Sequence, residues 1–266
     1  MASGRALGGR DSQQDALVCL VDASRDTRLL VLADGMGGDG AGELAAEGVI
    51  ATARRMWDEG AWRDQPGAVF LENLCQEAHQ ELRRRRLGLS RGEPHSTIVA
   101  LLLRAGRACW AHIGDSRLYQ YYGNRCIDRT RDHSLAEWRV QRGELRPEEV
   151  AAHADQHKLL RGLGGDSAPE VEHGGAMLRV GQSFALCSDG VWEHLTADEL
   201  GRFAVRDDLG QAVHEALSLV LERGGSSGDN AALILVHALP AGRLRRYMAG
   251  LWAQLVAGNA WTGTGR

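Results

Sequence analysis

Four aspartates in this 266-residue chain stand at the ends of short apolar runs. Asp34, Asp115 and Asp189 follow runs typical of buried strands, and Asp229 comes just before another such run. A single Asp-Gly pair after a strand usually marks only a turn. Repetition at four distant points indicates carboxylates delivered to the ends of several strands. Because hard divalent cations prefer oxygen ligands, this pattern predicts a divalent metal site.

The hydrophobic pattern predicts the elements that would position these carboxylates. An apolar strand over 16–21 precedes the strand that ends at Asp34, and the short polar turn between them predicts a hairpin. Helices are predicted after Gly40 and after Pro66, where apolar residues recur at helical spacing. The second helix closes on the basic run 83–86, which we interpret as favourable charge at a helix C-terminus rather than as a binding patch.

Closely spaced strands follow these two helices. Short turns between strands favour antiparallel sheets over parallel crossover units. The predicted strands span 98–103, 108–113 and 118–122, a stretch around Phe184, and 231–236, with a helix over 209–222 before the last one. Alternation of helices and hairpins predicts an α+β fold in which two antiparallel sheets pack together with helices outside.

The chain divides into three predicted parts. Residues 1–9 are small and Gly-rich, which indicates a loose N-terminus. Residues 10–239 form the folded domain, and its polar segment 135–158 is interpreted as a helical, flap-like insertion over the surface. Residues 240–266 carry apolar residues at helical spacing and are interpreted as an amphipathic helical tail packed on its own domain. Partner docking and membrane-surface attachment are the alternatives for this tail.

Composition excludes several classes of protein. A hydrophobic content of 44% with 25% charged residues is ordinary for a soluble globular protein. The formal net charge of −4 argues against a nucleic-acid binder held by phosphate contacts. Five scattered cysteines without a C-x-x-C pair indicate free thiols in a reducing compartment. No run reaches about 18 apolar residues and no signal peptide is evident, so we expect a cytoplasmic protein without stable membrane insertion.

Seven short motifs occur in order along the chain. They are Arg10-x-x-Gln13-Gln14-Asp15, Asp34-Gly35-Met36-Gly37-Gly38 with Gly42-Glu43, Gly114-Asp115-Ser116-Arg117, Asp132-His133-Ser134, Leu163-Gly164, Ser188-Asp189-Gly190 and Asp229-Asn230. Together they resemble the bacterial PPM (PP2C-like) metal-dependent Ser/Thr protein phosphatases over roughly residues 10–238. The resemblance implies an α-β-β-α sandwich with its metal site in a cleft at one edge of the two sheets.

Hydrolysis of a phosphate ester needs a strong nucleophile and neutralisation of charge on the phosphoryl oxygens. Two divalent ions about 3.5–4 Å apart supply both by acidifying a shared water and clamping the phosphate. The resemblance implies two Mn²⁺ or Mg²⁺ ions bridged by Asp34, with the Gly35 carbonyl as a further ligand of one. Asp189 and Asp229 would complete the site of the other ion.

Three further roles come from the same resemblance. Asp15 would hold metal-bound water, and Asp115 together with Asp189 resembles the site of a third, weaker ion. Arg10 would receive the phosphate by bidentate hydrogen bonds, the geometry that a guanidinium fork supplies. The implied catalytic set is therefore Arg10, Asp34 and Asp189.

The chain departs from the family pattern at Gln13-Gln14-Asp15, where the family usually has Asn-Glu-Asp, and at Asp39. Gln14 stands where the family usually has a glutamate that helps to hold the second ion, so its neutral amide is expected to weaken that ion. Asp39 stands where the bacterial motif usually has a histidine. Asp39 could supply the missing charge, but its loop position five residues after Asp34 makes this the less favoured interpretation.

No histidine is clearly placed to protonate the leaving group. Met36 occupies the position at which many eukaryotic members have a histidine, as is usual in bacterial members. His133 is a candidate, although capping of the turn beside Asp132 is the favoured interpretation. His153 and His157 lie four residues apart without a third ligand nearby, so we interpret them as a solvated helix face.

The leading hypothesis is a phosphatase acting on phosphoserine and phosphothreonine in proteins. The alternatives are a pseudophosphatase that binds a phosphoprotein or kinase as a regulatory module, and an enzyme for small phosphate esters. Loss of a site aspartate would favour the pseudophosphatase, and none is lost. The resemblance implies phosphorylated proteins and a cognate Ser/Thr kinase as partners, an association with bacterial secretion-system regulation, and a monomer.

Overall fold

A computed structural model describes residues 1–89 and 92–238. Five strands of this part form one antiparallel sheet. They span Ala2–Ala6 (β1), Arg117–Tyr122 (β7), Arg125–Arg129 (β8), Gln182–Cys187 (β10) and Ala231–His237 (β11). Their order is β1-β11-β10-β7-β8, so the strands on either side of Asp189 and Asp229 lie together in this sheet.

Six strands form the second antiparallel sheet. They span Asp15–Asp22 (β2), Thr27–Met36 (β3), His95–Ser96 (β4), Ile98–Arg104 (β5), Arg107–Ile113 (β6) and Glu172–Met177 (β9). The order is β2-β3-β5-β6-β9, with β4 paired to the end of β3. Ala105 and Gly106 both have positive φ, as the tight turn of the β5–β6 hairpin requires.

The described residues contain six α-helices. They span Ala41–Glu59 (α1), Gly67–Arg86 (α2), Leu135–Gln141 (α3), Asp189–Trp192 (α4), Ala197–Ala204 (α5) and Leu209–Gly224 (α6). Single turns of 3₁₀-helix lie at Ala61–Arg63 and Gly225–Ser227, and a longer one at Pro147–Ala152.

Three apolar layers hold the architecture together. α1 and α2 pack on the six-stranded sheet, α5 and α6 pack on the five-stranded sheet, and the sheets pack on each other. Strand β3 shows why its sequence is a continuous apolar run: Leu29 and Val31 face the helices, whereas Leu30 and Leu32 face the other sheet. The predicted α-β-β-α sandwich of two antiparallel sheets is confirmed.

The prediction of a loose N-terminus over 1–9 is wrong for Ala2–Ala6. This segment pairs with β11 from Ala2 opposite Leu235 to Ala6 opposite Ala231. A Cβ on Gly4 would lie 2.9 Å from side-chain atoms of α6, so the strand accepts only small residues there. The small residues that suggested looseness instead allow α6 to cross close to the strand, and the folded part begins before residue 10.

The segment 135–158, which we call the flap, contains α3 and the 3₁₀-helix at Pro147–Ala152. Buried Ala136 and Val150 anchor it to the apolar layer of the five-stranded sheet. The amphipathic tail predicted over 240–266 lies outside the described residues. None of the described helices is long and apolar enough to cross a bilayer.

Candidate metal centre

Strand pairing places two of the predicted site residues side by side. In the β2–β3 ladder Asp15 lies opposite Asp34. The Gly35 N–H donates to the Gln14 carbonyl at 3.0 Å, which fixes the backbone where β3 leaves the sheet. A Cβ on Gly35 would lie 1.9 Å from the Gly42 carbonyl oxygen, so only glycine permits this approach of α1 to the strand.

Asp115 lies on the loop that leads from β6 in one sheet to β7 in the other. Its carbonyl accepts a hydrogen bond from Trp192 Nε1 at 3.0 Å. Arg117 stacks on the Trp192 ring at 3.6 Å and pairs with buried Asp132 through bonds of 2.8 and 2.6 Å. The loop is thereby held in place by groups that lie outside the pocket itself.

Asp189 and Asp229 come from neighbouring strands of the five-stranded sheet. Asp189 follows β10 as the first residue of α4, and Asp229 precedes β11. Arg10 Nη2 donates to Asp229 Oδ2 at 2.6 Å, with 57% of the Arg10 side chain exposed. Asn230 ties this edge to the other sheet by accepting a hydrogen bond from the Gln14 N–H at 2.7 Å.

These elements enclose one pocket of about 280 Å³. Its lining includes Arg10, Asp34, Gly35, Asp115, Asp189 and Asp229, together with Gln14 and His157. Of the predicted site residues, only Asp15 is absent from the pocket wall. Asp15 is buried, and Ser188 Oγ donates to its Oδ2 at 2.6 Å.

Burial and mutual repulsion make this cluster electrostatically costly when all carboxyls are ionised. Burial raises the pKa of Asp34 well above its usual range, and Asp189, Asp15, Asp115 and Asp229 raise it further. Burial likewise raises the pKa of Asp115, with a further contribution from Asp189. The pKa of Asp15 rises to about 8, chiefly by burial.

Divalent cations would offset the repulsion within this cluster. The carboxylates and the Gly35 carbonyl concentrate oxygen donors in one pocket, and His157 adds one ring nitrogen beside Asp189 and Glu193. Such donors suit hard ions such as Mg²⁺ and Mn²⁺. The residues present therefore fit the ions that the resemblance implies.

Gln14 lies in the pocket wall, whereas exposed Asp39 is not among the pocket-lining residues. The Gln14 amide packs on Gly42, where a Cβ would lie 2.8 Å from Gln14 Cδ. Of the two departures from the family pattern, Gln14 is therefore the one that faces the carboxylate pocket.

Sequence reasoning missed His157 and Glu193. The His157 side chain is 57% exposed, as a solvated position should be, but it lies in a turn rather than on a helix, and its Nδ1 lies 3.5 Å from Asp189 Oδ2 and 3.6 Å from Glu193 Oε1. The neighbouring Asp189 carboxylate raises the pKa of His157 to about 9, and burial raises the pKa of Glu193 to about 7. The flap that carries His157 has little apolar periodicity, so its sequence gave no signal for this position.

His133 does not line the pocket. Its backbone N–H donates to the Gly114 carbonyl at 2.9 Å, and its Nδ1 accepts from the Gly114 N–H at 3.2 Å. His133 therefore clamps the loop before Asp115. It also forms a cluster with His112 and Glu172, but the two rings stack with planes 17° apart. Stacked rings direct their lone pairs side by side, so this cluster is poorly shaped for a metal.

The basic run at the end of α2 is largely paired with acidic side chains. Arg84 and Arg85 contact Glu81, while Arg86 contacts Glu93 and Asp166. This pairing supports the interpretation of the run as charge at a helix C-terminus.

The chain matches the family model described as Protein phosphatase 2C over residues 7–218. The serine/threonine protein phosphatase PstP of Mycobacterium tuberculosis is 31% identical over 223 residues, which are 80% of this chain and 40% of PstP. The chain thus spans less than half the length of that relative.

Solved structures that share the fold include the following two. The catalytic domain of PstP in complex with two manganese ions is 27% identical, with a TM-score of 0.71 over 88% of this chain and 96% of that domain. PppA, a key regulatory component of T6SS in Pseudomonas aeruginosa, is 28% identical, with a TM-score of 0.66 over 88% of this chain and 95% of PppA.

Proposed function

Because this chain belongs to the protein phosphatase 2C family, we propose that it is a metal-dependent phosphatase for phosphoserine and phosphothreonine in proteins. The observation that carries the proposal is the convergence of Asp34, Asp115, Asp189 and Asp229 with Arg10 in one pocket. Every aspartate that the chemistry needs is present. A pseudophosphatase therefore has no support from the site.

Asp34 would be the ligand shared by two divalent ions, the Gly35 carbonyl would help to hold one of them, and Asp189 and Asp229 would help to hold the other. Asp115, together with Asp189, is proposed to hold a third and weaker ion. When bound, the ions supply an acidified water and neutralise the charge of the phosphoryl group. Mn²⁺ is proposed as the preferred ion. Because Gln14 is neutral, the second site binds its ion weakly, and Mn²⁺ binds such oxygen sites more tightly than Mg²⁺ does.

Asp15 acts below the pocket rather than in it. Its carboxyl accepts from Ser188 Oγ, and that oxygen in turn accepts from the Ala232 N–H at 2.9 Å. These bonds orient the carboxyl between the two sheets. Asp15 is therefore proposed to hold water of the ions rather than the ions themselves.

Arg10 is proposed to receive the phosphate. It lies at the rim with an exposed guanidinium, and only Nη2 is bonded to Asp229. The remaining donors of the fork can bond two phosphate oxygens. Such contacts hold the ester in the ground state and in the transition state alike.

We further propose a cytoplasmic monomer that reverses the action of a cognate Ser/Thr kinase. The likeness to PppA supports a role in secretion-system regulation. Co-purification of the native protein with a kinase, followed by dephosphorylation of that kinase's products, tests this association. Failure of the purified protein to act on any product of the captured kinase would overturn it.

The experiment for the activity itself is phosphate release from a phosphothreonine peptide and from p-nitrophenyl phosphate. Both reactions are measured with Mn²⁺, with Mg²⁺ and with excess EDTA. We expect turnover of the peptide with Mn²⁺, less with Mg²⁺, and none with EDTA. Turnover that persists in EDTA would overturn the metal-dependent mechanism, and hydrolysis of the aryl ester alone would favour a small-ester phosphatase.

A further inference from the structure

A groove beside the aspartate pocket takes no part in the chemistry proposed above. It encloses about 560 Å³ and shares Met36, Gly37 and Leu159 with the pocket. Its other walls are His95 on β4 and residues of 160–170, the loop after the flap. Because these three residues line both cavities, the groove adjoins the pocket.

The wall of the groove carries apolar side chains on a fixed backbone. Leu160 is 56% exposed, yet its N–H donates to the His133 carbonyl at 2.7 Å. Ala168 and Pro169 stand in the same lining, and Met36 adds a flexible apolar side chain. A preformed apolar surface next to a catalytic pocket suits a ligand with an aliphatic group.

Charged side chains at the rim of the groove form ion pairs in which the carboxylates are the more exposed members. Asp166 and Glu170 have side chains 85% and 74% exposed, and they pair with Arg86 and Arg161 at 3.0 and 2.9 Å. The two arginines are less exposed, at 35% and 42%. An acidic ligand group would therefore meet guanidinium groups that are already paired with carboxylates.

We propose that this groove binds the polypeptide that flanks the phosphorylated residue, and that it selects an apolar side chain there over an acidic one. The inference rests on the proposed phosphatase function and defines its substrate as a phosphoprotein segment rather than a small ester. An extended chain advances about 3.3–3.6 Å per residue, so the selected side chain belongs to a near neighbour of the phosphorylated residue.

Two variants alter the groove without touching the proposed metal ligands. Ala168→Trp fills it from an exposed position, and Leu160→Asp places a carboxylate on its apolar wall. Ala51→Trp on α1 and Val69→Asp on α2 are matched controls, because both positions are exposed and lie outside the groove lining. Circular dichroism and the denaturation midpoint establish that each variant is folded.

The substrates are phosphothreonine peptides of one sequence that carry Leu, Ala or Asp at each neighbouring position, with p-nitrophenyl phosphate as the reference. For the unaltered protein we expect one position at which Leu exceeds Asp in kcat/KM by at least about tenfold. Both groove variants should reduce that preference to less than about threefold and leave p-nitrophenyl phosphate hydrolysis unchanged, whereas both controls should behave as the unaltered protein.

Three results would overturn the proposal. The unaltered protein could hydrolyse every peptide equally, both groove variants could keep the preference, or they could lose aryl-ester hydrolysis in parallel with peptide hydrolysis. Hydrolysis of the peptides without any preference would refute only the proposed role of the groove. Hydrolysis of neither substrate with Mn²⁺ would refute the proposed phosphatase function as well.

Discussion

Arg10 can be removed with little effect on folding, which makes its proposed contact with phosphate a clean test. Its side chain is 57% exposed, and its ion pair with Asp229 lies at the rim of the pocket. Pairs this exposed contribute at most about 1 kcal/mol to the free energy of unfolding. Arg10→Ala should therefore shift the denaturation midpoint only slightly.

The effect on catalysis should be much larger than the effect on folding. A hydrogen bond from a charged donor contributes about 1.5–3 kcal/mol, and the guanidinium fork can offer two to the phosphate. After loss of one such contact, or most of two, about 1.4–4 kcal/mol of transition-state stabilisation disappears, which lowers kcat/KM by roughly ten- to thousandfold. KM should rise as well, because the contact also holds the ground state. Arg10→Lys keeps the charge but loses the fork, so its kcat/KM should lie between the values for Arg10→Ala and the unaltered protein.

Steady-state kinetics on a phosphothreonine peptide at saturating Mn²⁺ measure these effects. Arg54→Ala, which removes an exposed arginine from α1 outside the pocket, is the matched control. Values of kcat and KM for Arg10→Ala within about twofold of the unaltered protein would refute the phosphate contact. A normal KM with a raised Mn²⁺ requirement would instead mean that Arg10 positions the Asp229 carboxylate for metal binding.

Three further predictions concern the metal centre. Asp34→Asn should abolish turnover while circular dichroism remains native, because the side chain lies in the pocket wall; full activity would exclude a bridging role. Gln14→Glu should lower the Mn²⁺ concentration for half-maximal activity at least ~10-fold, about 1.4 kcal/mol, in a titration supported by calorimetry, and superimposable curves would contradict a contact with the second ion. In EDTA the protein should lose stability as the pH rises from about 4 to about 8, because folded Asp15, with its raised pKa, binds a proton more tightly than the unfolded chain does. Denaturation midpoints across this range should show a weaker slope in Asp15→Asn, and an identical slope would exclude Asp15 as the cause.

The sequence was sufficient to predict the sandwich and the aspartates of its pocket. Asp34 lies near the end of β3 and Asp189 follows β10, and strands buried on both faces give uninterrupted apolar runs that are easily recognised. The convergence of these ends came from the resemblance to a family, because hydrophobic pattern alone does not fix the order of strands in a sheet. The roles assigned to the individual aspartates stay predictions.

Other features could not be predicted for physical reasons. Strand β1 is short and has Gly4 where α6 passes close to it, and local sequence does not distinguish such a strand from disorder. Strand β9, Glu172–Met177, lies at a sheet edge and carries two central glycines, so it lacks a strand signature. His157 reaches the pocket through the path of the flap, which depends on tertiary contacts rather than on periodicity.

The two sheets contribute different carboxylates to the same pocket, and this has a mechanical consequence. Asp34 belongs to the six-stranded sheet, Asp189 and Asp229 flank strands of the five-stranded sheet, and Asp115 lies on the crossing between them. The distance across the pocket is therefore set by the apolar layer between the sheets, in which rings such as Phe184 act as spacers. A bound ion would link the two sheets at one edge, because its ligands come from both. Conversely, a substitution that changes the thickness of that layer would alter the affinity of the site for its ions, even though the substituted residue lies far from any ligand.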